Sequence, residues 1–393
     1  MISFEEAYAT ALASVRLMGA ETVSLRDVVG RVLAQEIVAD MAMPPFDRAM
    51  VDGFACRRAD LGEPLTVGET IAAGYAPTQP ITPGSCASIM TGAPIPEGAD
   101  CVFMVEHSER SGDGATVRFV NETANDNIAA MGKDVQPNDS LLLPGHLLGP
   151  PDVAVLASMG YAEVEVACRP KVGVIATGDE LVEPSIKPSP VQIRNSNAYS
   201  LCAQVEATGC DAIFEGIARD NEESLHAVIG GAIEVNDVVL LSGGVSMGEF
   251  DLVPTILKEK GIEILYDRVA IQPGKPTTFG KSDTVFCWGL PGNPVATYTI
   301  FELVVKAFLY KMMGHDYAPP MIRMPLGERF SRKSGGRKSW VPVVVTPGGT
   351  IKRIPYHGSA HINALCHAHG FIPFPEGETG LEVGTIVELR LTR

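Results

Sequence analysis

Apolar positions change their spacing several times along the chain, and each change marks an element or a domain boundary. Ser3 and Glu6 stand at capping-box spacing. Behind them Ala7, Tyr8, Ala11, Leu12 and Val15 recur at helical intervals, which predicts an amphipathic opening helix. A short strand over residues 21–25 and a second helix over 26–35 are expected next. From residue 43 to 150 short apolar runs are separated by Gly, Pro, Asn and Asp, the texture of β-structure with long loops. Residues 134–139 form one of its predicted turns. Residues 147–157 then read as a helix with Pro150 and Pro151 near its start.

The pattern is clearest between residues 171 and 313. Strand-like runs at 172–176, 212–216, 238–241, 262–265 and 284–288 alternate with helical runs at 196–208, 222–233, 253–260 and 295–313. Alternation of helices with continuously apolar strands predicts a doubly wound α/β domain, its parallel sheet covered on both faces. Beyond Pro319 and Pro320 the chain returns to short strands and glycine turns. The expected organisation is an α/β multidomain protein. A helical and linking region spans 1–42 and 143–168, a β-rich lobe 43–142, the central α/β domain 169–318, and a small all-β domain 319–393.

Ligands of wound sheets sit beyond the carboxyl ends of the strands. Those ends carry Thr177, Gly178, Asp179 and Glu180, then Ser242, Gly243 and Gly244, then Pro291, Gly292, Asn293 and Pro294. The loops match neither a P-loop nor a dinucleotide fingerprint. They do offer glycine-turn N–H groups ahead of helices, which suits a phosphate or pyrophosphate. Glu180, Asp220 and Asp251 accompany them, and carboxylates beside a phosphate imply an intervening divalent cation. Asp220 and Asp251 read equally well as caps of the helices that follow them. Gly244 to Gly248 matches G-x-S-x-G, which makes a hydrolase using Ser246 a minor alternative. Its context differs from a nucleophile elbow, because the next helical run starts only near Asp251. His357, His361, His367 and His369 with Cys366 fit no standard metal spacing and read as hydrogen-bonded or solvated side chains. Arg323, Arg329, Arg332, Lys333, Arg337 and Lys338 form one basic run, either a solvated strand edge or a patch for an oxyanion.

Bulk properties narrow the classes. A formal charge of −16 argues against a nucleic-acid partner. The opening residues are acidic where a secretory signal is cationic, and Lys306 and Lys311 interrupt the longest apolar run, so a cytoplasmic protein without a membrane span is expected. The 8 cysteines stand singly, as expected of unpaired, largely buried thiols.

Pro44 to Ala55 (PPFDRAMVDGFA) resembles the P-P-F-D-x-S-A-M-D-G-Y-A signature of molybdopterin molybdenumtransferases, the MoeA and gephyrin E-domain family. Met90 to Asp100 (MTGAPIPEGAD) resembles its second signature. Thr177 to Leu181, Arg219–Asp220, Ser242 to Asp251 and Gly289 to Val295 add the central motifs, and Gly336–Arg337, Gly358–Ser359 and Pro375 to Glu382 those of the tail. The central motifs alone are shared by other molybdopterin-binding-like folds; the N-terminal pair and the β tail single out the molybdenum-inserting branch.

The resemblance implies molybdenum cofactor biosynthesis: Mg²⁺-dependent insertion of molybdate into adenylylated molybdopterin with release of AMP. It implies a homodimer whose cleft joins the central domain of one subunit to the N-terminal lobe of the other. Further partners it implies are a pterin adenylyltransferase and molybdoenzyme-maturation proteins. Glu180, Asp220 and Asp251 would hold the metal and, with Asp52 and Thr91, act in catalysis, Asp134 approaching beside them. Thr177, Gly178, Asp179, Ser242, Gly243, Gly244, Ser246, Lys275, Pro291, Gly292, Asn293 and Pro294 would bind the pterin nucleotide. Arg268, Gln272, Arg337 and Ser359 match an oxyanion cluster. There the chain departs from the family, which usually carries a base at both the Arg268 and Gln272 positions. Asn363–Ala364 also replaces residues that are commonly small hydroxyls. Losing a cation should weaken capture of dianionic molybdate, so a pterin-binding scaffold or low-activity paralogue is the alternative.

Overall fold

The computed structural model describes residues 1–121, 123, 125–244 and 252–392. The chain divides into two compact units, one of residues 1–34, 144–150 and 163–393, the other of residues 35–143 and 151–162.

In the first unit the helix Phe4–Ala13 opens with both hydrogen bonds of its capping box formed, Ser3 to the Glu6 N–H and Glu6 back to the Ser3 N–H. The strand Ala20–Ser24 pairs antiparallel with Glu163–Ala167. The helix expected over 26–35 does not form. Leu25–Asp27 is a single 3-10 turn, and Gly30 then turns with φ +79°. Val32 and Leu33 bridge to Leu147 and Val166 instead. Two β-branched valines before a glycine make a poor helix, and the bridges bury Val28, Val32 and Leu33.

The central sheet has the order Asp211–Ala218, Lys171–Thr177, Val238–Ser242, Phe286–Leu290, Pro276–Lys281, Glu263–Arg268. The first four strands are parallel. Pro276–Lys281 is reversed and pairs antiparallel with the strands on both its sides, so the sheet is mixed where an all-parallel one was expected. Pro276–Lys281 escaped the sequence pattern because a proline opens it and Gly280 lies under Glu263, where a side chain would collide.

Alternation along the strands sends residues to two faces. Val172, Val174, Ala176, Val238 and Leu240 pack with the helix Asn197–Ala207 and the helical stretch 294–312. Ile175, Val239, Leu241 and Cys287 pack with the helices Glu222–Val235 and Val253–Glu259. The stretch 294–312 is helical as expected, with a π-helical turn at Phe301–Val305.

The all-β tail carries a sheet ordered Ile271–Gln272, Lys338–Val345, Gly370–Phe374, Ile386–Leu391, Met321–Pro325. Its edge strand, Ile271–Gln272, is lent by the central domain and pairs parallel with Lys338 and Ser339.

The second unit holds a six-stranded sheet ordered Cys101–Met104, Gly53–Cys56, Ser85–Ile89, Leu65–Ile71, Thr116–Phe119, Ser108–Arg110. Its faces bury Ile71, Ile89 and Val102 on one side and Phe54, Leu65 and Phe103 on the other. The helix Pro150–Ser158 falls close to the expected place. All eight cysteines are unbridged. Burial pushes the thiols of Cys86, Cys210 and Cys287 up to about 12, which leaves them unreactive at neutral pH. Among the described residues no helix is long and apolar enough to cross a membrane.

Candidate active site

The carboxyl ends of the parallel strands converge on a cavity of about 250 Å³. Thr177, Glu180, Asp220, Ser242, Gly243, Gly244, Pro291, Gly292 and Pro294 line it. The turn after Val238–Ser242 depends on glycine. Gly243 has φ +101°, and a Cβ there would lie 2.6 Å from the Thr177 carbonyl oxygen. Glycine thus lets this turn pack directly against Thr177 while it lines the cavity. Asn197 Nδ2 ties the rim together by donating to Ser242 Oγ and to the Gly292 carbonyl, each at 2.8 Å.

Four predicted binders stand outside this wall: Lys275 and Asn293, which line a neighbouring cavity, and Gly178 and Asp179. The Asp179 carboxylate accepts the Asp220 N–H at 3.3 Å and Gly178 turns behind it. The Arg219 guanidinium donates to the Asp179 carbonyl at 3.0 Å, which fixes the loop that carries Glu180. Asp220 does not cap the following helix. Asn221 takes that place, its side chain accepting the Ser224 N–H at 2.9 Å. Ser246 and Asp251 lie outside the described residues.

Sequence reasoning missed Asn195 as a wall residue. It is 2 % exposed and lines the cavity; its Oδ1 accepts the Ala198 N–H, and its Nδ2 has no partner. A buried amide donor left unpaired calls for an acceptor from a ligand or water. The signal available in sequence was its place just before a predicted helix, which also reads as a cap.

Glu180 and Asp220 give the cavity two hard oxygen donors. Magnesium is held by one or two carboxylates together with substrate phosphates, and this donor set fits that habit. Among the described residues no group of three or more His, Cys, Asp or Glu could hold a metal unaided. The histidine-rich segment accordingly makes ordinary contacts: His361 Nδ1 accepts the His357 N–H, and His369 Nδ1 accepts the Val345 N–H.

A second cavity, about 530 Å³, adjoins the first; Pro276 and Pro291 belong to both walls. Gln272, Lys275, Asn293, Arg337 and Ser359 line it, with Arg332, Ser339 and Arg353. Four cationic side chains and no carboxylate form this wall, in a chain of net charge −16. Such local concentration of positive charge suits an oxyanion. Arg353, distant from the basic run in sequence, was missed. Arg268 is not in the wall; its Nε faces Asp267 at 4.0 Å.

In the other unit Asp52 Oδ1 accepts both the N–H and the hydroxyl of Thr91, each at 2.7 Å. These bonds hold the Asp52 carboxyl below its ordinary range. The carboxylate's preference for this arrangement is complete above about pH 4 and is lost as the pH falls below it. Thr91 and Asp134 share a shallow recess with Arg48 and Lys133.

Three families describe consecutive parts of the chain: "MoeA N-terminal region (domain I and II)" over residues 2–160, "Probable molybdopterin binding domain" over 173–311, and "MoeA C-terminal region (domain IV)" over 323–391. A molybdopterin molybdenumtransferase of Staphylococcus aureus is 34 % identical over 385 residues, covering 95 % of this chain and 92 % of the relative. One from Staphylococcus epidermidis is 36 % identical over 380 residues, covering 94 % and 90 %. A crystal structure of the molybdopterin biosynthesis MoeA protein from Pyrococcus horikoshii superposes with TM-score 0.85 at 31 % identity, covering 100 % of both chains.

Proposed function

The chain belongs to the MoeA family of molybdopterin molybdenumtransferases, enzymes of molybdenum cofactor biosynthesis, and from that premise we propose that it inserts molybdate into adenylylated molybdopterin with Mg²⁺-dependent release of AMP. The observation that carries this reading is the pair of adjoining cavities, one with carboxylates at a glycine-lined rim and one with cations alone. A pterin nucleotide and an oxyanion have different charge requirements, and two walls meeting at Pro276 and Pro291 meet both within reach of one substrate.

Glu180 and Asp220, with Asp251, would hold the cation against the phosphoanhydride. When bound, it supplies charge neutralisation as AMP departs. Gly243 and Gly244 put main chain in the wall where the nucleotide would lie. Thr177 and Asn195 offer a hydroxyl and an unpaired amide at the floor. Lys275, Arg337 and Ser359 orient the incoming oxyanion in the second cavity. Holding both reactants at fixed separation converts an encounter in solution into a step within one complex.

Purified protein given adenylylated molybdopterin, Mg²⁺ and molybdate is expected to release AMP in a molybdate-dependent way, followed by chromatography. AMP levels that stay flat across a molybdate titration would overturn turnover and leave the scaffold reading, which Gln272 in the cationic wall favours.

The same reading includes a homodimer in which Asp52, Thr91 and Asp134 of one protomer face the carboxylate cavity of its partner. Phe46, Met50, Met90 and Met131, in the segments that carry Asp52, Thr91 and Asp134, are 41–60 % exposed, and apolar side chains so placed are what an interface covers. Sedimentation equilibrium is expected to give twice the 41.8 kDa chain mass. A monomer throughout the micromolar range would remove the shared site.

A further inference from the structure

Gln272 stands where the family resemblance calls for a base, and the structure shows what it does there. Strand pairing sets Gln272 directly beside Ser339. Ser339 Oγ lies 3.3 Å from Gln272 Oε1 and 2.7 Å from Arg332 Nη1. A guanidinium has no acceptor, so Arg332 donates to the hydroxyl and the hydroxyl proton is left for the glutamine carbonyl. Arg332 cannot swing away. Its other donors end on the carbonyls of Glu378, Arg337, Gly335 and Pro375 at 2.5–3.3 Å, and its plane lies over Phe374. Ser339 is 5 % exposed, whereas Gln272 is exposed to the cavity. Among the described residues Gln272 Nε2 makes no hydrogen bond.

We propose that Arg332 and Ser339 are positioning residues that clamp the carbonyl end of Gln272, so that its amide NH₂ is presented to the cationic cavity as a neutral, fixed donor to a tetrahedral oxyanion. This rests on the reading of that cavity as an oxyanion site and deepens it. The chain thereby exchanges a mobile point charge for a preorganised hydrogen bond. Charge-driven capture falls with salt, whereas capture through a neutral donor is little screened. Oxyanion affinity in this chain therefore depends on geometry at position 272 more than on charge there.

The test is titration of the full-length protein with sodium molybdate alone, followed by fluorescence of Trp340, which lines the cavity; Trp288 is buried in the central sheet and supplies a constant background. Ser339→Ala and Gln272→Ala are each expected to weaken molybdate about fivefold, the size of one neutral hydrogen bond. The double variant should be no weaker than either single one, because both break the same linkage. Ser339→Thr, which keeps the hydroxyl, should restore binding. Gln272→Lys should bind more tightly in dilute buffer and lose that gain as KCl rises. Should Ser339→Ala fold poorly, Gln272→Glu at the exposed position still decides. Its carboxylate accepts from Ser339 but turns an anionic oxygen to the cavity, so binding should vanish.

Multiplying losses in the double variant, or a Ser339→Ala protein that binds like wild type, would overturn the clamp alone. No molybdate response in wild type, and none lost in Arg337→Ala, would overturn the oxyanion reading and the clamp with it. A purely structural role for Ser339 predicts a lower melting temperature with unchanged molybdate affinity, and that result also rejects the proposal.

Discussion

Glu180→Gln is expected to slow molybdate-dependent AMP release by about 100-fold, a barrier increase of about 2.7 kcal/mol. Glutamine keeps the size of the side chain, removes its charge and turns one acceptor oxygen into a donor, so a cation held there would lose a ligand. Glu180 is exposed and sits on a loop tied by Arg219 to the Asp179 carbonyl, so the fold should be little affected. A neutral amide binds Mg²⁺ more weakly than a carboxylate, so half-maximal rate should need more magnesium. The requirement for pterin nucleotide should shift less, because on the proposed reading glycine main chain and the amide of Asn195 would serve that end. Asp220→Asn should act in the same direction. The double variant should fall short of the product of the two losses, since either change alone already deprives the cation of a ligand. A Glu180→Gln enzyme with the wild-type rate and magnesium dependence would sink the carboxylate reading.

This site was largely legible in the sequence because its parts are local. Continuous apolar runs fixed where the parallel strands lie, and the unusual loops follow them by one or two residues. Glycine at 243 was visible as a turn residue, and the structure adds the reason: the Thr177 carbonyl occupies the place a side chain would take. What stayed hidden depends on long-range pairing. Gln272 and Ser339 are 67 positions apart, and no periodicity announces that a two-residue strand of one domain completes the sheet of another. The loss of the Gln272 cation therefore read as a deficit, because its support by Arg332 through Ser339 could not be seen.

The basic run illustrates the same limit. Six cations close in sequence look like one patch, but strand alternation and loop geometry disperse them. Lys338 pairs with Glu5, and Arg329 with Glu382. Arg323 lies opposite Glu388. Arg332 and Arg337 alone of the six line the cavity, where Lys275 and Arg353 join them from other segments. The helix expected over 26–35 failed for a related reason. Its apolar spacing is compatible with a helix, yet Val32 and Leu33 find backbone partners at 147 and 166, which local propensity cannot register.

Gly53→Ala is expected to cost the second unit about 3 kcal/mol or more. Gly53 lies in the second strand of that unit's sheet, opposite Met104 on one side and Ile89 on the other. A Cβ at this position would stand 2.0 Å from the Phe103 carbonyl oxygen and 3.2 Å from the Met104 Cα. The obstacle is backbone, already hydrogen-bonded in the ladder, so it cannot rotate away as a side chain would. The strand must separate or bulge, and Phe54 and Phe103, stacked at 5.2 Å between ring centroids, lose their packing with it. Amide exchange should rise over residues 53–56, 85–89 and 101–104, while the central sheet stays protected. Both tryptophans, Trp288 and Trp340, belong to the other unit, so a Trp340 response to molybdate should survive. Turnover should not, because Asp52 is the preceding residue and its bonds to Thr91 depend on this strand keeping its register. Loss of AMP release with molybdate binding retained would thus divide oxyanion capture from the step that needs Asp52. A Gly53→Ala protein with wild-type melting and exchange would show that the close approach at Phe103 is not what requires glycine there.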